Sequence, residues 1–149
     1  MNISQEGLDL IKRSEGLRLN VYKDAAGIPT IGWGHKCQAV DSFPGGIDEA
    51  MAEHILACDV DEAAQAVDRL VKVPLTQGQF DALVDWVFNL GEGRLAKSTF
   101  LTCLNDGNYA NAAEQMILWC HAGGEELPAL VTRRNEELKL WNAANAVLV

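Results

Sequence analysis

The sequence predicts an α+β fold in which a small N-terminal antiparallel sheet is followed by one long helix and a mainly helical remainder. Two observations lead to this prediction. Leu17, Leu19 and Val21 alternate with polar residues, which is the period of a half-buried strand. Residues 49–71 carry an uninterrupted helical pattern, which predicts a helix roughly 34 Å long. Its apolar face is expected to include Met51, Ile55, Ala63, Val67 and Leu70. The 149 residues, 48% of them hydrophobic, suffice for one globular domain with a sizeable core.

A short helix and a β-hairpin are predicted at the N-terminus. The apolar positions of residues 3–13 indicate an amphipathic helix, with Asn2 or Ser4 as its N-cap. Residues 24–27 supply a turn that ends in a glycine, which adopts positive φ readily. Residues 28–34 can then return as the partner strand.

The later helices are marked by residues that favour a helix start or a helix end. After a loop over 37–46, Asp48 is the N-cap of the long helix, and Pro74 follows its end. Residues 75–77 and Gly91 mark the ends of the next helix, and Ser98 and residues 105–107 mark those of a third. Residues 110–119 form a fourth helix, which Gly123 and Gly124 end, and Pro128 starts the last.

Glu15, Asp24 and Thr30 form a candidate catalytic set that the hairpin would bring together. Glycosidic cleavage uses one carboxylic acid that donates a proton and one carboxylate that activates water or balances charge. Glu15 lies at a helix C-terminus, where the helix dipole and partial burial favour its protonated form. Asp24, in an exposed polar turn, should stay ionised, and the Thr30 hydroxyl could orient the water. By spacing alone, three residues without a catalytic role are the commoner interpretation.

The residues around this set resemble the active-site segment of the tailed-phage lysozymes (endolysins), glycoside hydrolase family 24. The matching residues are Glu15-Gly-Leu-Arg-Leu, Tyr22-Lys-Asp24, Gly27, Thr30-Ile-Gly and Gly34-His35. In that family the positions matching Glu15, Asp24 and Thr30 form the catalytic triad that cleaves peptidoglycan. The resemblance implies a lysozyme-like fold and hydrolysis of the β-1,4 bond between N-acetylmuramic acid and N-acetylglucosamine, without a metal or an organic cofactor.

The same resemblance implies one domain over residues 1–149 with two lobes. The small hairpin lobe covers about 15–58, and the helical lobe combines 1–14 with 72–149. The long helix over about 49–71 bridges the lobes, as the corresponding helix does in phage lysozymes.

Further site residues follow from the resemblance. Gly32 and His35 in the matched segment are candidates for binding substrate. Asn89 is a third, although an amide at the end of a helix can equally bond to local backbone. Alignment with the family predicts that His35 pairs with Asp59 of the long helix.

Two adjacent arginines lie in a Leu-Pro-x-Leu-Val-x-Arg-Arg-x-x-Glu pattern that also resembles phage lysozymes. Either Arg133 or Arg134 could reach the acid face of a cleft. Solvated charge on a helix surface is an equally good interpretation of both.

The chain is acidic, with a net charge of −9, which argues against binding to nucleic acid or to anionic membranes. No apolar run has the length of a signal-peptide core or of a membrane span. We therefore expect a monomer that accumulates in the cytoplasm of a bacterial host and acts on peptidoglycan in the periplasm. If the resemblance holds, a separate pore-forming holin would release it.

Three cysteine arrangements remain open. Free thiols are expected first, because disulfides are rare in reducing compartments. A Cys37–Cys58 bridge comes second, since contact between His35 and Asp59 would bring these neighbours near each other. A Cys103–Cys120 bridge comes last.

Two other functions compete with hydrolysis. A lytic transglycosylase uses a single glutamate and closes an anhydro ring, and the water-handling residues Asp24 and Thr30 argue against it. A non-catalytic module that binds the cell wall would not require a complete set of acid, base and hydroxyl groups.

Overall fold

The computed structural model describes residues 1–38 and 42–143, together with the backbone of 147–148. Of the predicted loop over 37–46, residues 39–41 lie outside the described residues. The elements are, in chain order, α1 (Gln5–Glu15), β1 (Arg18–Lys23), β2 (Pro29–Gly32), β3 (His35–Lys36), α2 (Glu49–Leu70), β4 (Leu75–Thr76), α3 (Gln77–Leu90), α4 (Glu92–Ala96), α5 (Thr99–Asn105), α6 (Tyr109–Met116), β5 (His121–Ala122), β6 (Glu125–Glu126), α7 (Pro128–Trp141) and β7 (Val147–Leu148). The predicted α+β class is confirmed.

The first helix begins and ends two residues later than predicted. Ser4 is its N-cap, and the Ser4 hydroxyl accepts a hydrogen bond from the amide of Gly7 at 3.3 Å. The helix ends at Glu15, followed by Gly16 at φ 70°. Glu15 therefore projects from the last turn of a helix that is anchored at both ends.

The N-terminal sheet has the strand order β1-β2-β3, with both pairs antiparallel. The predicted return strand is divided into β2 and β3 by a tight turn at residues 33–34. The expectation that β1 is half-buried is wrong, because Leu19 and Val21 are 39% and 47% exposed. In this sheet β1 is an edge strand, and burial is concentrated on the central strand β2, where Thr30 and Ile31 have no exposed surface.

The long helix α2 matches its prediction to within one residue. The Asp48 carboxylate accepts from the amide of Met51 at 2.8 Å and caps the helix. The buried face of α2 contains Ala52, Leu56 and Val60, whereas Met51, which we expected to face the core, is 47% exposed. Ala63 and Val67, further along the same apolar pattern, are buried. The helix packs against α3 and also contacts β2, β3 and α4.

The helical remainder encloses one core with α3 at its centre. A capping box of Thr76 and Gln79 starts α3, and Gly91 at φ 97° ends it, as predicted. The elements that were not predicted include the short helix α4, the paired strands β4 and β7, and the β5–β6 hairpin, which forms around the glycines that we expected only to end a helix. One cluster of buried apolar residues includes side chains from α1, α2, α3 and α7. The division into two lobes remains an interpretation.

The thiols of Cys58, Cys103 and Cys120 are free in the described structure. Neither of the two bridges considered above is therefore present, and Cys37 is partly buried.

Candidate active site

Glu15 is partly buried at the end of α1, with 19% of its side chain exposed. Its Oε2 accepts a hydrogen bond from Nη1 of Arg133 at 2.6 Å. Such charge-assisted bonds are short and directional. Of the two arginines expected as candidates to reach the acid face of the cleft, Arg133 therefore contacts Glu15.

The backbone of Gly34 lies directly against the Glu15 carboxylate. Gly34 adopts φ +71°, and a Cβ placed there would lie 2.8 Å from Cδ of Glu15 and nearer still to Oε1. Real Cβ atoms essentially never approach a neighbour so closely. The turn between β2 and β3 therefore requires glycine for space as well as for conformation, and it holds Oε1 of Glu15 against its backbone.

Both carboxylate oxygens of Asp24 are bound. Oδ1 accepts from the backbone amides of Ala26 and Ile28, each at 2.9 Å, and Oδ2 accepts from the ammonium group of Lys36. The Lys36 bond and the Ile28 amide lower the pKa of Asp24 below its ordinary value. This direction agrees with the prediction that Asp24 is ionised at neutral pH.

Thr30 is completely buried at the middle of the sheet, opposite Tyr22 on β1 and Lys36 on β3. Its hydroxyl donates to the carbonyl of Ile28 at 2.9 Å, so the oxygen keeps lone pairs with which it could accept from a water. Because Thr30 has no exposed surface, a water can reach its hydroxyl only if the surrounding residues move apart.

A buried network of charged side chains extends from Glu15 into the protein. Arg133 donates to both oxygens of Asp85, from Nε at 3.0 Å and from Nη2 at 2.8 Å. Nε of Arg134 lies 2.9 Å from Oε1 of Glu137. Nη2 of Arg134 donates to Oδ1 of Asn89 at 2.7 Å. The interpretation of the two arginines as solvated charge is wrong, because both are buried.

The pKa values of the charged groups in this network are shifted by burial and by the neighbouring charges. Burial raises the pKa of Glu137 well above its ordinary value, and the hydrogen bond to Asp85 adds to the effect. Burial acts to raise the pKa of Asp85 too, but the Glu137 bond and the Arg133 charge outweigh it and lower that pKa. Burial opposes the charge on Arg133, yet Asp85 and Glu15 raise its pKa. These directions favour the neutral form of Glu137 and the charged forms of Asp85 and Arg133, and Arg133 in turn donates to Glu15.

Of the predicted binding residues, His35 lies where we expected it. Its Nδ1 is 2.8 Å from Oδ2 of Asp59, which confirms the predicted contact. Asn89 bonds through Oδ1 to Arg134 rather than to local backbone, so its NH₂ group is the part that could face a ligand. Gly32 is buried near Ile47 and Ala52 and is not among the residues that line the cavity described next.

A cavity of about 460 Å³ opens between the β2–β3 turn, α2 and α3. Its lining residues are Gly34, His35, Lys36, Gln38, Asp59, Glu62, Ala63, Ala66, Val87, Phe88, Gly91 and Glu92. Gly34 and Lys36, which contact Glu15 and Asp24 respectively, both belong to its wall. Glu15, Asp24 and Thr30 are not themselves among the lining residues, but Glu15 and Asp24 each contact a residue that is.

No role was predicted for three residues of the site: Lys36, Asp85 and Glu137. Asp85 had a detectable signal, because it interrupts an apolar run between Val84 and Trp86, and charged residues on a buried helix face are almost always paired. The partner could not be found in the same way, since it lies 48 residues away.

Residues 12–137 match the family model described as phage lysozyme. The chain belongs to the phage lysozyme family. The predicted family, the lysozyme-like fold and the enzyme class, a hydrolase of the lysozyme type, are thereby confirmed.

Known proteins are similar to this chain over almost its whole length. The endolysin of Salmonella phage P22 is 41% identical over 95% of this chain and 98% of its own. The endolysin of Bacillus phage B103 is 44% identical over 95% of this chain, but the match spans only 54% of that longer protein. A solved structure of the muramidase domain of SpmX from Asticaccaulis excentricus is 35% identical and superposes with a TM-score of 0.84, covering 95% of this chain and 98% of that one.

Proposed function

We propose that this lysozyme hydrolyses the β-1,4 bond between N-acetylmuramic acid and N-acetylglucosamine in bacterial peptidoglycan, as an endolysin that lyses the host of a bacteriophage. The observation that carries the proposal is that Glu15 and Asp24 contact Gly34 and Lys36 respectively, two residues of the cavity wall. The relatives named endolysins and the muramidase domain support the same substrate class.

Glu15 serves as the general acid in this proposal. Arg133 occupies Oε2, so the proton that passes to the leaving oxygen is held on Oε1, the oxygen nearest Gly34. Asp85 holds the guanidinium through two parallel bonds, which restricts the orientation of the acid. Proton donation by a positioned side chain contributes roughly 10²- to 10⁴-fold to the rate.

Asp24 acts on the other reactant, the water. As an ionised carboxylate it can accept the proton of an attacking water or balance positive charge on the sugar ring. The two turn amides fix Oδ1, and Lys36 fixes the direction of Oδ2. Thr30, two residues beyond Ile28, is proposed to orient the same water once the site opens.

No metal or organic cofactor is required in this scheme, since the carboxylates meet the charge that develops on the sugar. The cavity supplies the sugar contacts. Phe88 and Val87 offer apolar surface, and His35 places its imidazole in the wall. The NH₂ group of Asn89, which lies outside the lining residues, is a further candidate for a hydrogen bond to sugar. Gly32 stays a candidate from the resemblance, although it is buried in the structure.

Loss of turbidity in a suspension of purified cell walls tests the proposal. Glu15→Gln should abolish lysis with the fold intact, because an amide cannot donate the proton at a useful rate. Asp24→Asn should lose several orders of magnitude. Asp61→Asn is a matched control, since Asp61 is an exposed carboxylate of α2 that bonds only to Gln65 in its own helix among the contacts described. Lysis by Glu15→Gln at a tenth of the wild-type rate would exclude Glu15 as the acid.

The products separate hydrolysis from its alternatives. Hydrolysis leaves reducing ends, whereas a lytic transglycosylase leaves anhydro ends that are lighter by one water. Mass spectrometry of the released fragments distinguishes the two. A wall-binding module would pellet with the walls without clearing the suspension.

The route to the wall is the remaining part of the proposal. No helix in the described part of the chain is long and apolar enough to cross a bilayer. We propose accumulation of a monomer in the host cytoplasm and release by a holin. Relatives such as that of Escherichia phage Mu, 38% identical, are named SAR-endolysins, a name that suggests a secretion-related release. Expression with and without a holin separates the routes, and light scattering measures the mass in solution.

A further inference from the structure

The β5–β6 hairpin gathers three potential metal ligands outside the active site. They are the thiol of Cys120, the imidazole of His121 and the carboxylate of Glu126. One ligand atom from each lies within 4.8 Å of the other two. We propose that this cluster is a binding site for a divalent transition-metal ion, Zn²⁺ in the first place.

The hairpin backbone places the ligands before any ion binds. His121 and Glu126 are directly opposite each other in the antiparallel pair, which puts their side chains on one face of the hairpin. The amide of Leu127 donates to the carbonyl of Cys120 at 2.9 Å and closes the base of the hairpin. Cys120 is 8% exposed, whereas the other two ligands are exposed.

The distances approach those of a tetrahedral zinc site. Sγ of Cys120 lies 3.7 Å from Nδ1 of His121. A thiolate and an imidazole on the same tetrahedral zinc ion are about 3.6 Å apart, given the usual bond lengths to sulfur and nitrogen. The Glu126 carboxylate can reach the ion by rotation of its exposed side chain, without a change of the backbone.

The chemistry of the donor set selects the class of ion. Thiolate and imidazole favour zinc and its neighbours, while magnesium and calcium require oxygen ligands. One thiolate, one imidazole and one carboxylate carry two negative charges, which neutralise a divalent ion. Three protein ligands leave a fourth position for solvent on the exposed side.

Cobalt(II) is the probe, because its bond to a thiolate produces a near-ultraviolet charge-transfer band. The full chain, reduced and freed of metal, is titrated with Co²⁺ and then with Zn²⁺. The wild type should develop the band and lose it when Zn²⁺ displaces Co²⁺. Cys120→Ser should abolish the band. His121→Gln and Glu126→Gln should each weaken Zn²⁺ binding by at least about 10- to 100-fold. Loss of a residue that only hydrogen-bonds to a metal ligand already has an effect of this size, and these variants remove the ligand itself.

The matched control lies on α2, where His54 and Cys58 are exposed and four residues apart on one helix face. Cys58→Ser should leave the cobalt band unchanged. A band that disappears in Cys58→Ser and survives in Cys120→Ser would overturn the proposal, as would the absence of any thiolate band in the wild type. His121 and Glu126 are exposed, so their variants keep the fold, and equal melting temperatures without metal check this. The site is independent of the proposed lysozyme activity, which is measured separately on the same samples.

Discussion

Replacing Gly34 by alanine tests whether the β2–β3 turn positions the Glu15 carboxylate. The new Cβ would lie 2.8 Å from Cδ of Glu15, and ordinary contact begins at 3.4 Å. The carboxyl group must therefore move by about 0.6 Å or more. The 2.6 Å bond from Arg133 opposes this movement, because Asp85 holds the guanidinium in place.

Two effects of the substitution can be estimated. The left-handed backbone at φ +71° costs a residue with a Cβ about 1–2 kcal/mol. The displaced acid adds a loss of catalysis, since a misplacement of 1 Å can cost about 100-fold. We expect the rate of wall lysis to fall by about 10- to 100-fold. The stability loss alone would lower the rate much less, because the variant is still folded at the assay temperature.

Gly107→Ala is the matched control. Gly107 adopts φ +80° between α5 and α6, and a Cβ there meets nothing within 4 Å. It should lose similar stability in chemical denaturation and keep wild-type lysis. The reasoning is refuted if Gly34→Ala keeps more than a third of the wild-type rate, or if both variants lose activity equally.

Three further predictions concern the ion pairs. Lys36→Met removes the largest influence that lowers the pKa of Asp24, so the acid limb of the kcat/KM–pH profile should move to higher pH. Protonated Glu137 contributes stability that is complete below the unfolded pKa of about 4.3 and is lost as pH rises through its raised folded pKa. In Glu137→Gln the free energy of unfolding should therefore decline less than that of the wild type as pH rises from 4 to 8. Arg133→Met leaves the Asp85 charge buried without its partner, which should cost about 3–5 kcal/mol in denaturation.

Exposed residues supply the controls for these variants. Lys139→Met removes a lysine that is 74% exposed and should leave the pH profile unchanged. Arg13→Met, at a weak surface pair of 3.7 Å, should change stability by no more than about 0.5 kcal/mol. Parallel stability curves for Glu137→Gln and the wild type would show that Glu137 is not protonated in the folded protein. An unshifted acid limb in Lys36→Met would remove Lys36 from control of Asp24.

The parts of the site that sequence reasoning found are local. Glu15, Asp24 and Thr30 lie within sixteen consecutive positions, and turn residues between them indicate how the chain folds back. The Asp48 cap was also predicted correctly, and Ser4 was one of two candidates for the first cap, because a cap depends on bonds to the next few residues.

The parts that sequence reasoning missed depend on contacts between distant segments. Whether Arg133 or Arg134 faces Glu15 is decided by the rotation of α7 against α3, which periodicity alone does not specify. Met51 was assigned to the core for the same reason. The exposure of Leu19 and Val21 reflects the edge position of β1, since alternation predicts which face is apolar but not whether another element covers it.

The ion pair between Glu15 and Arg133 joins residues 118 positions apart. During synthesis the ribosome therefore delivers the acid near the beginning of the polypeptide and its anchor almost at the end. A nascent or prematurely terminated chain that lacks α7 carries Glu15 without the group that orients it, and it also leaves Asp85 unpaired in the core. Such a chain should be both inactive and a substrate for the proteases that remove unfinished proteins. Lytic capacity in the infected cell would then appear only as whole molecules are completed, which ties its onset to finished translation rather than to the first residues made.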